Sequence, residues 1–264
     1  MDRPEILLTN DDGIGSVGLQ ALQASLADVA DVTVVAPAED KSAIGRAISS
    51  EVRIEKHDLG YAIEGTPTDC VVAGIEGLDL DPDLVVAGIN EGANIGAYVL
   101  GRSGTVSAAV EAAFFGIPAI ATSLYVDVED EAVRDIDLTI EDFAEAIRAT
   151  TYLVQHAPEA GVFEHADYLN INASRPGEEP AEMVVTTPSR AYDMGAVRNG
   201  DAITLEDNMW ARMASGDIPD DTGVDRRAVV EGTVSVSPLT APHTTEHHEA
   251  LDALATTFSE SAPK

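Results

Sequence analysis

The sequence predicts an α/β protein built on a doubly wound, mostly parallel sheet, followed by a C-terminal strand and helix extension. Three observations predict it. Strand and helix signals alternate at short spacing through the first half of the chain. Polar residues collect just after the strand runs, where open sheets of this kind place their sites. Near residue 175 the pattern changes to short strands and acid-rich turns. We therefore expect a core over 1–175 and an extension over 176–264, packed on the core and exchanged between subunits.

The elements follow in order. Ile6-Leu7-Leu8 is a strand-like apolar run that breaks into Thr9, Asn10 and two adjacent carboxylates, Asp11 and Asp12, before Gly13. Leu19, Leu22, Leu26 and Val29 recur at helical spacing. Val32 to Ala36 reads as a buried second strand, closed by Pro37. Residues 51–64 suit a hairpin turning at Leu59-Gly60-Tyr61. Thr66-Pro67-Thr68-Asp69 has the form of a helix start, with a Thr cap, Pro at the first position and an acid at the third. Leu84-Val85-Val86-Ala87 is a strand running into Gly88-Ile89-Asn90. A helix is expected over 104–115, with Val106, Val110 and Phe114 on one stripe, and a strand over 116–121. Residues 139–157 form the strongest amphipathic pattern, with Ile140, Phe143, Ile147 and Val154 on its buried side. Residues 168–172 give a further strand, 183–237 short strands, and the chain closes in a polar tail.

Charge narrows the partners. Forty-seven acids face 15 bases for a net charge of −32, and three of the bases are lysines. Such a surface repels a nucleic-acid backbone and an anionic membrane, so neither is expected as a partner. The acid excess resembles proteins from salt-filled cytoplasm, where a screening length of ~3 Å at molar salt makes the self-repulsion tolerable. No apolar run approaches the ~20 residues that span a bilayer. The N-terminus runs into the first strand without a basic region, and one cysteine, Cys70, excludes an internal disulfide. The expected location is the cytoplasm.

The chemistry collects after the strands. Asp11 and Asp12 point to opposite faces of an extended strand, but a bend at Gly13 can bring them together, and two such carboxylates repel unless a cation lies between them. The loop after the second strand adds Glu39-Asp40-Lys41-Ser42, and the next adds Asn90 and Asn94. Carboxylate, amide and hydroxyl oxygens together suit Mg²⁺, Mn²⁺ or Ca²⁺. Ser103-Gly104-Thr105 opens a helix, where free N–H groups and hydroxyls can hold a phosphate. Each residue also has a plain structural role open to it: a turn or cap for Asp11, Asp12 and Ser42, left-handed backbone for Asn90 and Asn94, a helix cap for Asp69. Arg102 either meets the phosphate or flanks the helix. His243, His247 and His248 read as solvated residues of the tail.

With these residues in place the chain resembles the SurE family of 5′/3′-nucleotidases. The resemblance rests on Leu8 to Ile14, Val35-Ala36-Pro37 with Ser42-Ala43, Gly65 to Val71, Asp83 to Asn90, Gly92 to Gly96, Ser103 to Val106, Leu169 to Asn172 and Gly232 to Leu239. It implies a Rossmann-like core and an extension used in a homodimer or homotetramer. It also implies hydrolysis of nucleoside 5′- and 3′-monophosphates by a metal-activated water, with Asp11 and Asp12 as catalytic residues. The implied ligands of one divalent cation per subunit, Mg²⁺ or Mn²⁺, are Asp11, Asp12, Ser42 and Asn90. Asn94, Ser103, Gly104 and Thr105 would line the phosphate site. Ala87 stands where the family usually has serine, and Gly101-Arg102 replaces the common tyrosine before Ser-Gly-Thr. The competing reading is a non-catalytic, Mg²⁺-binding module of the receiver type. Such a module needs a phosphoacceptor aspartate at the end of a central strand, and the strand at 84–87 ends in Gly-Ile-Asn.

Overall fold

The computed structural model describes residues 3–126, 136–243, 249–250 and 254. Its core strands are β1 (Glu5–Thr9), β2 (Asp31–Pro37), β4 (Gly60–Ile63), β5 (Leu84–Asn90), β6 (Ala119–Tyr125) and β7 (Tyr168–Ser174). They run parallel in the spatial order β4-β2-β1-β5-β6-β7. Counting only these six, the order is 3-2-1-4-5-6, the doubly wound arrangement in which the direction of strand addition reverses between β1 and β5. β3 (Ile54–His57) forms the expected hairpin with β4 and closes one edge. At the other edge the extension adds β11 (Val234–Leu239), antiparallel to β7, and then β8 (Met183–Val185).

Residue alternation explains the two layers. Ile6 and Leu8 face one side of β1 and Leu7 the other, and all three are buried, as they are in a sheet covered on both faces. Helices α1 (Val17–Leu26) and α5 (Ala144–His156) cover the first side through Leu19, Leu22, Leu26 and Val154, joined by Phe143. Helices α2 (Pro67–Val72) and α4 (Gly104–Phe114), the latter preceded by the single turn α3 (Ala97–Leu100), cover the second through Cys70, Val71, Val106, Ala109 and Ala112. Each of the large aliphatic side chains so buried contributes roughly 1.5–3 kcal/mol.

Two details of the helical pattern differ from expectation. The amphipathic run at 139–157 begins with a tighter turn over Ile140–Phe143, because Thr139 and Asp142 cap that turn, and Ile140 is 58% exposed. Phe114 ends its stripe 53% exposed, its ring under the Arg46 guanidinium at 4.6 Å. Within the extension, β9 (Met194–Asn199) and β10 (Ala202–Asp207) form a separate hairpin with Ile203 and Leu205 exposed. Two helices whose positions the sequence pattern does not mark, α6 (Asn208–Ser215) and α7 (Asp225–Val230), follow it. Among the described residues no helix is long and apolar enough to cross a membrane.

Asp69 takes the cap role. Thr66 N–H donates to Asp69 Oδ2 at 2.8 Å and Asp69 N–H to Thr66 Oγ1 at 3.1 Å, while Ser49 N–H and Oγ–H donate to the same carboxylate. Burial pushes this carboxyl up, but the four bonds from Ser49 and Thr66 outweigh it and the net shift is downward. A depressed folded value means the stabilisation is complete above the ordinary value of 3.8 and is lost as pH falls through the lower folded value. Asp69→Ala should therefore cost about 1–2 kcal/mol at neutral pH. The gap from the unmodified chain should narrow below pH 3.8, measured as melting temperature in molar KCl.

Candidate active site

The site lies where the fold requires it, at the C-terminal ends of the strands around the β1/β5 reversal. Gly13 makes the bend that lets β1 deliver two carboxylates: its φ is +96°, which costs a side chain but not glycine. The bend is pinned from three sides. Asn10 Nδ2 donates to Gly13 O at 2.9 Å and to Ser16 Oγ at 2.8 Å, and Ile14 N–H donates to Pro37 O at 2.8 Å. Ser16 in turn caps α1.

Beyond the bend the two acids part. Asp11 is buried against the first turn of α4, where Thr105 Oγ1 donates to its Oδ1 and the Thr105 N–H also bonds to it. The fit leaves no room for a side chain at 104. A Cβ there would stand 2.8 Å from both Asp11 Cβ and Asp11 Oδ2, so glycine is retained at a helical position that alanine would otherwise favour by about 1 kcal/mol. Gly104→Ala should displace the Asp11 carboxylate and cut phosphate release about a hundredfold, the usual effect of an ångström-scale misplacement. An unchanged rate in a continuous phosphate assay would show that the helix start can move aside.

Asp12 is half-buried and turns toward β5, where its Oδ2 accepts the Glu91 N–H at 3.0 Å. Burial raises the Asp11 carboxyl above the ordinary aspartate range, against the pull of Thr105. Burial and then the charge of Asp11 raise Asp12 well above it, with Glu91 and Asp40 adding repulsion. Two acids that resist ionisation this way are the electrostatic setting a hard cation relieves.

The neighbouring loops are tied to this pair. Lys41 N–H donates to Asp11 O at 2.7 Å, which fixes the loop carrying Ser42. Ser42 N–H and Oγ–H both turn to Asp40 Oδ1, making a local turn. Asn90 Nδ2 donates to Gly92 O, so the amide presents its oxygen elsewhere. Ser103 Oγ caps α4 by accepting the Val106 N–H at 3.0 Å. Asn94 is buried, and its amide donates to Ser123 Oγ at 2.8 Å. The structure thus brings Asp11 into direct contact with Gly104 and Thr105, and Asp12 with the loop after β5. Ser42 and Asn94 stand on the adjoining loops, Ser42 bonded within its own turn and Asn94 to Ser123 of β6.

Arg102 flanks the helix start, its guanidinium 5.5 Å over the Tyr98 ring. His243 is exposed, while His247 and His248 lie outside the described residues. The extension also reaches the site. Asp225 Oδ2 accepts the Gly96 N–H and Ser189 O the Ala97 N–H, both at 2.8 Å, and the buried Arg226–Asp220 pair braces them.

Sequence reasoning passed over Glu91, whose half-buried carboxylate accepts N–H groups of Val17 and Gly18 and is raised by burial. Its place between Asn90 and Gly92 at a strand end was the available signal. Among the described residues no three His, Cys, Asp or Glu side chains converge to hold a metal. A cation here would need the two carboxylates completed by neutral oxygens, and the expected donor set Asp11, Asp12, Ser42 and Asn90 fits in its all-oxygen character the preference of Mg²⁺ or Mn²⁺.

Comparison with known proteins bears on this geometry. The family model described as Survival protein SurE matches residues 6–194. The chain is 65% identical to a 5′-nucleotidase SurE of Haloarcula marismortui over 98% of this chain and 96% of that one. It is 60% identical to one of Halobacterium salinarum (97% and 99%) and 36% identical to one of Methanosarcina mazei (91% and 93%). The first two organisms are halophilic archaea, in keeping with the acid excess. The crystal structure of a SurE protein from Aquifex aeolicus superposes with a TM-score of 0.77 at 30% identity, covering 98% of this chain and all of that one.

Proposed function

The chain belongs to the SurE family, and we propose that it is a nucleotidase that hydrolyses nucleoside 5′-monophosphates, and 3′-monophosphates, with one divalent cation, Mg²⁺ or Mn²⁺, per subunit. The observation that carries the reading is the Asp11 carboxylate packed into the first turn of α4 with Asp12 beside it. A helix start attracts a phosphate. A phosphate dianion next to two carboxylates is tolerated only with a cation in the same place.

Asp11, Asp12, Ser42 and Asn90 would hold the cation. When bound it supplies a Lewis acid that draws charge from the phosphoryl oxygens and makes water a better nucleophile near neutral pH. The chain's own part is positioning and electrostatics, which phosphoryl transfer chiefly needs. The Gly104 N–H and the Asn94 amide would orient the equatorial oxygens, since the Thr105 and Val106 N–H groups already bond to Asp11 and to Ser103, whose cap keeps that turn wound. Asp11 is already committed to Thr105, so Asp12 Oδ1, the oxygen not bonded to Glu91, is the better placed to take the proton of the attacking water. The exposed apolar side chains of the β9–β10 hairpin support assembly into a dimer or tetramer through the extension.

The test is phosphate release from 5′-AMP, 5′-GMP and 3′-AMP by the full chain in molar KCl with Mg²⁺, Mn²⁺ or EDTA. Release with either metal, abolished by EDTA and restored by adding metal back, is the expected result. If no nucleotide yields metal-dependent phosphate, the non-catalytic cation-binding reading takes over.

A further inference from the structure

Buried polar side chains interrupt the sheet at positions where aliphatic residues are the less costly choice, and their hydrogen bonds converge on Asn94. Asn170 and Asn172 lie two residues apart on one face of β7, and both are fully buried. In register, Asn172 stands beside Ser123 of β6, and Asn170 beside Ala121. Asn172 Oδ1 accepts the Asn94 N–H at 2.8 Å. The Nδ2 groups of Asn170 and Asn172 donate to the Asn94 carbonyl at 2.9 and 3.1 Å. Ser123 Oγ accepts from Asn94 Nδ2 at 2.8 Å.

Every polar group of the Asn94 backbone, and one hydrogen of its amide, is therefore held by side chains from two rigid strands. The arrangement carries a stability cost. Asn170 Oδ1 has no partner among the described residues, and a buried acceptor left unpaired is destabilising. Stability alone does not account for two such asparagines in mid-strand.

We propose that Ser123, Asn170 and Asn172 are positioning residues of the phosphate site, holding Asn94 so that the second N–H of its amide meets a phosphate oxygen. The proposal rests on the reading that Asn94 binds the substrate phosphate. Fixing that amide beforehand spares the substrate the entropic cost of ordering it on binding.

The test combines Ser123→Ala, Ser123→Thr and Asn94→Ala with the Ser123→Ala/Asn94→Ala double variant. The readouts are kcat and KM for 5′-AMP, and the affinity for inorganic phosphate by calorimetry with Mn²⁺ in molar KCl. Ser123→Ala should raise KM and weaken phosphate binding about five- to tenfold, with kcat changed by less than about twofold. Ser123→Thr, which keeps the hydroxyl, should restore both. In the Asn94→Ala background the further change Ser123→Ala should have no effect, because its partner is gone. Unaltered phosphate affinity in Ser123→Ala, or an equal loss with and without Asn94, would overturn the positioning role. A wild-type chain that binds phosphate yet hydrolyses no nucleotide would instead overturn the nucleotidase reading, and the calorimetric comparison would still decide the role of Ser123.

Discussion

Asp11→Asn is expected to lower kcat/KM for 5′-AMP by roughly a thousandfold while leaving the chain folded. The two halves of that result have separate causes. Asn is nearly isosteric with Asp, and its carbonyl oxygen still accepts from Thr105, so the contact with α4 survives. The amide also removes a charge whose burial raises its proton affinity, so the cation-free melting temperature should hold or rise. What would go is one of the two anionic ligands proposed for the cation, and cation affinity scales with ligand charge. Adding Mn²⁺ should raise the melting temperature of the wild-type chain clearly more than that of the variant, because ligand binding to the native state alone stabilises by mass action. Near-normal turnover in a variant with a normal melt would remove Asp11 from the reaction.

The parts of this site that sequence could reveal are those carried by local patterns. The carboxylate pair, the Gly13 bend, the Thr66–Asp69 cap and the α4 start each announce themselves within a few residues, and the alternation of Leu7 with Ile6 and Leu8 shows a doubly covered strand. Contacts between distant segments do not announce themselves. Nothing near residue 104 says that its glycine exists to admit Asp11, 93 positions away. Asn170 and Asn172 read as breaks in a hydrophobic strand until Asn94 is seen lying across them. Helices α6 and α7 were illegible for another reason. α7 buries Asp225 and Arg226 as a bonded cluster, and α6 buries only Met209 and Met213 four residues apart, so neither shows a continuous apolar stripe. Ile140 misled in the opposite sense: a helical period placed it inside, but capping by Thr139 tightened the first turn and rotated it out.

Lowering KCl from 2 M to 0.1 M should drop the melting temperature by roughly 10–20 °C, the equivalent of several kcal/mol for a chain of this size. Salt acts on this surface in two directions. Ion pairs such as Arg3–Asp31 and Arg212–Asp217 are exposed, and each contributes about 0–1 kcal/mol that screening weakens. Against them stands the mutual repulsion implied by a net charge of −32, which is felt across ~10 Å at 0.1 M but only ~3 Å at 1 M. With acids outnumbering bases three to one the repulsion dominates, so salt should stabilise. The Arg226–Asp220 pair is buried and should contribute alike at both concentrations. Replacing the exposed Glu178 and Glu179 with lysine should flatten the salt curve, whereas a purely solvophobic salt effect would leave its slope unchanged. The buried Asp11 and the half-buried Asp12 are screened much less than the open surface. Millimolar Mn²⁺ should therefore add a further rise in melting temperature that persists in 2 M KCl and is clearly smaller in Asp11→Asn. A Mn²⁺ effect that disappears at high KCl would mean that the cation binds the general acidic surface and not the site.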